Sequence, residues 1–148
     1  MSIFSICGFG LIGRQRYEAL KSLGIDDRHI FVFDPKLISK KSKNEYSNLS
    51  IVDNIQELHD LKPNYLIIAT PHSVAPYYVS EFGNSDVRIL LEKPMGRNLI
   101  EAKRLVSLIS NASLSIGFNY RFMPGVSKLK SLLQSNLLGE INSINVEI

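Results

Sequence analysis

Apolar residues in this chain fall into short runs divided by polar, glycine- or proline-bearing breaks, and their period changes from run to run. Ile3 to Cys7 is a compact apolar run before glycines, the pattern of a buried strand. Leu11 to Leu23 has helical spacing, with Gly24 placed as its C-terminal cap. His29 to Asp34 predicts a second strand, stopped by Pro35, and Leu49 to Val52 a weak third. Asn54-Ile55-Gln56-Glu57 has the form of a capping box and starts a short helix. Tyr65 to Ala69 is apolar without alternation, as strands covered on both faces are. Pro71 opens a helix through Phe82, and Val87 to Leu91 is the next strand. Asn98-Leu99-Ile100-Glu101 is a second capping box, leading a helix with Ala102, Leu105, Val106 and Ile109 on one face. Leu114 to Phe118 reads as a strand. Val126, Leu129, Leu132 and Leu133 mark a last helix, followed by a turn at Gly139.

Strand and helix alternating at this rhythm predict an α/β fold: a doubly wound parallel sheet with right-handed crossovers. The last segment has another period. Ile144, Val146 and Ile148 alternate with Asn145 and Glu147, which predicts a half-exposed strand. It reads as the first strand of a second sheet whose partners lie outside the chain. The expected division is 1–120 for the doubly wound domain and 121–148 for a linker helix plus that strand. A lone edge strand seeks a partner, so self-association through the tail, or local disorder of it, is expected.

At 148 residues, 45% hydrophobic and 21% charged, the chain fits one ordinary soluble domain with a real core. The net charge of +3 is mild. Its dense part is Lys36, Lys40, Lys41 and Lys43, in a stretch with Asn44, Ser47 and Asn48. Without interleaved aromatics this reads as a solvated loop, and no nucleic-acid partner is expected. One cysteine, Cys7, excludes an internal disulfide and sits in a strand pattern, so a buried inert thiol is expected. His29, His59 and His72 are too scattered with it to form a metal site. No apolar run approaches the ~18 residues of a membrane span, and the N-terminus lacks a basic leader pattern. A reducing, cytoplasmic setting is expected.

Gly8-Phe9-Gly10-Leu11-Ile12-Gly13 lies where a strand gives way to a helix, the context that makes a GxGxxG run informative. Gly8 would serve a tight turn. Gly10 would leave room for a pyrophosphate to reach the backbone, and Gly13 would let helix and sheet pack closely. The helix N-terminus would supply N–H donors to the phosphates. Asp34, twenty-one positions past Gly13, can accept ribose hydroxyls and would repel a 2′-phosphate, so NAD is expected ahead of NADP. Asp34 is equally placed to form a turn before Pro35, and the cation of Lys36 could favour NADP.

Ligands of open α/β sheets bind beyond the carboxyl ends of strands. Lys93 follows Leu90-Leu91-Glu92 and would emerge there. It could pass a proton to or from a substrate oxygen during hydride transfer, or form an ion pair with a neighbour such as Glu92.

Gly8–Gly13, Ala69-Thr70-Pro71, Glu92-Lys93-Pro94 and Gly117-Phe118-Asn119-Tyr120-Arg121-Phe122-Met123-Pro124 occur in order at fitting intervals. With Lys128-Leu129-Lys130, Leu132-Leu133 and Leu138-Gly139-Glu140-Ile141, they make essentially the whole chain resemble the glucose–fructose oxidoreductase / inositol dehydrogenase (Gfo/Idh/MocA) family. The resemblance implies a Rossmann domain with cofactor contacts along Gly8, Phe9, Gly10, Leu11, Ile12 and Gly13. It implies others at Asp34, Thr70, Pro71, Glu92, Lys93, Pro94, Asn119 and Arg121. It implies that Lys93 is the catalytic residue, with a bond to Pro94 that is often cis. Tyr120, Arg121 and Phe122 can also be read as packing at a domain junction. The implied reaction is hydride transfer at a hydroxyl carbon of a sugar-like or cyclitol substrate, by a homo-oligomer. Two departures stand out. Ala75 occupies the place of a histidine common in the family, His72 being out of register and read as a turn residue. The aspartate and histidine that the family carries in its C-terminal domain have no match, so the chain is expected to bind cofactor and turn over little. The alternatives are a non-catalytic dinucleotide sensor or corepressor, against which Lys93 argues, and a reductase of amino-acid biosynthesis with the same first domain.

Overall fold

In a computed structural model, residues 2–39 and 48–146 can be described. The polar cluster at Lys40, Lys41, Lys43, Asn44 and Ser47 lies outside them, as does Ile148. Contacts divide the chain into two compact units, Met1–Gly117 and Phe118–Ile148.

Among the described residues the first unit holds six strands: β1 (Phe4–Cys7), β2 (Ile30–Phe33), β3 (Ser50–Ile51), β4 (Tyr65–Ile68), β5 (Arg88–Leu91) and β6 (Ser113–Ile116). All pair in parallel, in the order β3-β2-β1-β4-β5-β6. The chain winds outward from β1 to β3, then returns to β1's other side and winds the opposite way. Among the described residues five α-helices connect the strands: α1 (Leu11–Ser22), α2 (Pro35–Ile38), α3 (Ile55–Asp60), α4 (Ala75–Phe82) and α5 (Leu99–Ser107).

Strand alternation sorts the core into two layers. Ile6, Val32 and Ile67 pack with Leu20 of α1 and Leu37 of α2. Cys7, Leu66, Ile68, Ile89 and Leu91 pack on the other face with Leu58 of α3, Tyr78, Val79 and Phe82 of α4, and Leu105 of α5. Neighbours along β1 and β4 therefore go to opposite faces, and both faces are covered, which is why these strands read as unbroken apolar runs. Cys7 is fully buried, and that burial pushes its thiol pKa up.

Both capping boxes form. The Asn54 side-chain Oδ1 accepts the Glu57 N–H at 2.9 Å and that of Asn98 accepts the Glu101 N–H at 3.0 Å. The glutamates reach back to the N–H groups of Asp53 and Arg97. Gly24, at φ +81°, ends α1 in the left-handed region that glycine enters without penalty.

Several expectations need correction. His29 belongs to a 3₁₀ turn, Asp27–His29, capped by the Asp26 side chain, so β2 begins one residue later. Pro35 opens a helix instead of merely stopping a strand, because proline suits the first helical turn, where an N–H has no partner. Residues 72–74 form a turn and α4 starts at Ala75, not at Pro71. Val106 is half exposed, leaving Leu105 as the buried residue of α5.

The second unit holds a 3₁₀ turn (Asn119–Phe122) and α6 (Pro124–Gln134). Residues 141–146 form no strand, and Ile144 and Val146 are exposed. A strand needs a second strand to take its backbone hydrogen bonds, and among the described residues none pairs with this segment. Among the described residues, no helix is long and apolar enough to cross a membrane.

Candidate functional site

The strand registers align Phe33, Cys7, Ile68, Leu91 and Ile116 side by side. The next residue of each strand therefore falls into one row along the carboxyl edge: Asp34, Gly8, Ala69, Glu92 and Gly117. The backbone ladder continues one step into that row, from Gly8 N–H to Phe33 O (2.9 Å), Ala69 to Cys7 (2.8 Å), Glu92 to Ile68 (3.0 Å) and Gly117 to Leu91 (2.8 Å). Four of the segments singled out in the sequence thus meet at one edge because their strands end level.

Each glycine of the cradle has its own geometric reason. Gly8 has φ +87°, and a Cβ there would lie 2.8 Å from the Ala69 carbonyl oxygen and 3.0 Å from Thr70 Cγ2. A Cβ on Gly13 would lie 2.1 Å from the Gly8 carbonyl oxygen, so only glycine lets α1 approach the loop. Gly10 is the opposite case, since a Cβ there meets no protein atom within 4 Å. Its missing side chain leaves open space, not packing.

That space faces the start of α1. Gly10 caps the helix without a side-chain bond, and no acidic residue occupies the first turn. The helical ladder begins with Arg14 N–H to Gly10 O at 3.1 Å, so the N–H groups of Leu11, Ile12 and Gly13 precede it. Leu11 and Ile12 are exposed, while α3 and α5 close the same position with asparagine caps and glutamates. The Thr70 hydroxyl, beside Gly8, is buried and has no hydrogen-bond partner among the described residues. An orphaned hydroxyl next to a set of open N–H donors fits a bound polar group, and the donors fit phosphate.

Asp34 stands at the next strand end, half-buried. Its Oδ2 accepts the Phe9 N–H at 2.7 Å and its Oδ1 accepts the Lys36 N–H at 2.8 Å, capping α2. The turn-forming role is present, and it ties the cradle to β2. Each oxygen keeps acceptor capacity for a further donor. The Phe9 ring is buried, edge-on to Tyr17 at 5.9 Å, so Phe9 offers the cradle its backbone, not its side chain.

Lys93 is exposed at the end of β5, and its bond to Pro94 is cis. The ion pair considered for it with Glu92 is not present. Glu92 Oε1 instead accepts from Arg16 Nε on α1 at 2.5 Å, with side chains 11% and 20% exposed. Among the described residues the Lys93 ammonium has no partner. Arg16 went unnoticed in the sequence because its partner lies 76 positions away. Its only local signal is its place on α1, one turn past Gly13.

His72 lies in the turn before α4 and lines a groove of about 550 Å³ with Tyr77, Arg97, Glu101 and Arg104. The groove runs between α4 and α5 and includes none of the cradle glycines. Asn119 and Arg121 belong to the second unit's 3₁₀ turn. Both are exposed, and the Arg121 guanidinium lies 5.7 Å from the Phe122 ring centre. Among the described residues no group of three or more His, Cys, Asp or Glu could hold a metal.

Comparison with known proteins agrees with this fold. The chain is 31% identical over 148 residues to glucose-6-phosphate 3-dehydrogenase of Bacillus subtilis, covering 99% of itself and 42% of that protein. It is 22% identical to inositol 2-dehydrogenase of Rhizobium meliloti, covering 97% of itself and 44% of the relative. The WlbA dehydrogenase of Bordetella pertussis, solved with NADH and UDP-GlcNAcA, superposes with a TM-score of 0.77 at 18% identity, over 95% of this chain and 44% of WlbA. The chain thus spans less than half the length of these relatives. Residues 3–120 match the Gfo/Idh/MocA family, described as "Oxidoreductase family, NAD-binding Rossmann fold", and the chain belongs to that family.

Proposed function

We propose that the chain is the dinucleotide-binding domain of an enzyme that moves hydride to or from a hydroxyl carbon of a sugar, sugar derivative or cyclitol, with NADH preferred over NADPH. The observation that carries the proposal is the row at the carboxyl edge. It sets an open helix N-terminus after β1, a carboxylate at the end of β2 and, just past the end of β5, a lysine without a partner among the described residues.

In this reading the N–H groups of Leu11, Ile12 and Gly13 bind the pyrophosphate, which the glycine at position 10 admits. Asp34 accepts ribose hydroxyls with its remaining acceptor capacity and disfavours a 2′-phosphate by charge. Thr70 and Pro71 border the cleft. The bound nicotinamide supplies or accepts the hydride. Lys93 handles the proton: as a substrate C–H bond gives up hydride, the hydroxyl O–H bond breaks toward the lysine amine, and the reverse direction returns that proton to the carbonyl oxygen. Glu92, held by Arg16, stands in the same row beside Lys93. Positioning the substrate carbon provides most of the acceleration. A cytoplasmic homo-oligomer acting on a small molecule, not on nucleic acid or membrane, completes the proposal.

The test is Lys93→Ala in the hydride-transferring enzyme. Turnover should fall on the order of a hundredfold or more, with NADH affinity retained. Unchanged turnover would remove Lys93 from the mechanism.

A further inference from the structure

We infer that Arg16 is a positioning residue for Lys93: by holding the Glu92 carboxylate it keeps the neighbouring lysine unpaired and available to substrate. The inference rests on the reading of Lys93 given above.

Glu92 and Lys93 are adjacent at the end of β5, so the carboxylate is the negative charge nearest to the lysine along the chain. Left alone, it would be the natural partner for an exposed ammonium. Two features of the fold take it away. Arg16 Nε meets Oε1 at 2.5 Å, in a pair that is mostly buried at both ends. On the other side Gly117, at the end of β6, provides the room the carboxylate occupies. A Cβ there would lie 2.7 Å from Glu92 Oε2. Helix α1, the end of β5 and the end of β6 together enclose this one carboxylate. Lys93, one residue on, remains exposed.

The arrangement differs from other ion pairs in the chain. Arg28–Asp26 and Arg97–Glu101 are local pairs whose arginines are 73% and 71% exposed. Pairs of that kind add little to stability. Arg16–Glu92 is long-range, and removing one member leaves the other charge poorly solvated. A carboxylate deprived of Arg16 can recover a cation only from nearby, and the side chain of Lys93 is the adjacent one. The cost of losing Arg16 should therefore appear at Lys93, not only in stability. Because Arg16 sits one turn after Gly13, the same helix that offers its N-terminus to phosphate also keeps the lysine free.

The test is competitive amine acylation of the folded chain, following Lys93 against exposed Lys103 by mass spectrometry. In Arg16→Met, Lys93 labelling should fall about three- to tenfold relative to Lys103, the scale of capture by one partly buried carboxylate. Arg16→Met/Glu92→Gln, which has no carboxylate to capture the lysine, should restore the wild-type rate. Arg16→Lys should keep it. Wild-type labelling in Arg16→Met, or no recovery in the double variant, would overturn the inference. Should Arg16→Met fail to fold, Glu92→Gln decides: labelling at or above the wild-type rate supports the inference, and reduced labelling overturns it. In the hydride-transferring enzyme, Arg16→Met should lower kcat with the KM for NADH unchanged, and a change confined to KM would count against it. If Lys93→Ala leaves turnover intact, the catalytic reading fails, whereas the labelling result stands on its own.

Discussion

Gly10 and Gly13 separate what the cradle needs for folding from what it needs for a ligand. At Gly13 the added methyl would lie 2.1 Å from a backbone oxygen, so α1 and the loop must part by roughly 1 Å. Such overpacking costs about 1–3 kcal/mol, and Ala's better helix propensity returns up to about 1 kcal/mol. For a chain of this size the net loss should lower the melting temperature by several degrees. At Gly10 the methyl meets nothing, and the backbone (φ −71°, ψ −160°) is open to any residue. Ala caps a helix less well than Gly by roughly 0.5–1 kcal/mol, but it restricts the unfolded chain by about 0.4–1 kcal/mol. The two nearly cancel. Gly10→Ala should therefore melt within a degree or two of wild type, yet bind NADH at least about tenfold more weakly, a loss of about 1.4 kcal/mol. Gly13→Ala should lose stability and affinity together. Differential scanning calorimetry and NADH titration on both variants measure the contrast. Wild-type NADH affinity in Gly10→Ala would refute the argument that the empty space admits the pyrophosphate.

Three further outcomes follow from the packing and charge. Phe82 is buried at the centre of the α4 layer and stacks on His59 at 4.3 Å, so Phe82→Ala should cost about 3–5 kcal/mol in urea unfolding. Asn98→Ala removes the cap of α5 and should cost about 1 kcal/mol, whereas a cost near zero would mean the capping box is idle. Hydrogen bonds from Lys21 and then Tyr17 hold the Asp27 carboxyl below its ordinary pKa, and burial with its bond to Asp27 pushes the Tyr17 hydroxyl up to about 12. A carboxylate with a depressed folded pKa stabilises above its unfolded value, and that contribution is lost as pH falls through the folded one. Wild type should then exceed Asp27→Asn in melting temperature near neutrality and converge with it as pH falls below the ordinary carboxylate range, and a gap that widens on acidification would reverse the assignment.

The doubly wound order was legible because its signals are local. Unbroken apolar runs such as Tyr65–Ile68 mark strands covered on both faces, and asparagine–glutamate spacing marks the starts of α3 and α5. The glycines were legible for the same reason, although the sequence does not show that Gly13 yields to a backbone oxygen while Gly10 yields to empty space. What stayed hidden depends on contacts between distant segments. Arg16 and Glu92 meet only after β1, β4 and β5 have been laid side by side. Asp34 could be read as ribose acceptor or turn former, and its bonds to Phe9 and Lys36 give it the second role while leaving acceptor capacity for the first. The tail is the converse case: Ile144 and Val146 have strand period, but period does not supply the partner that a strand requires, and residues 141–146 form no strand here.

The most direct test of dinucleotide binding at this edge is a calorimetric titration of the chain with NADH and with NADPH, repeated on Asp34→Ala. The account predicts saturable binding, tighter for NADH, with the preference lost in Asp34→Ala. Binding of neither nucleotide, or an NADH preference that survives the loss of Asp34, would contradict it.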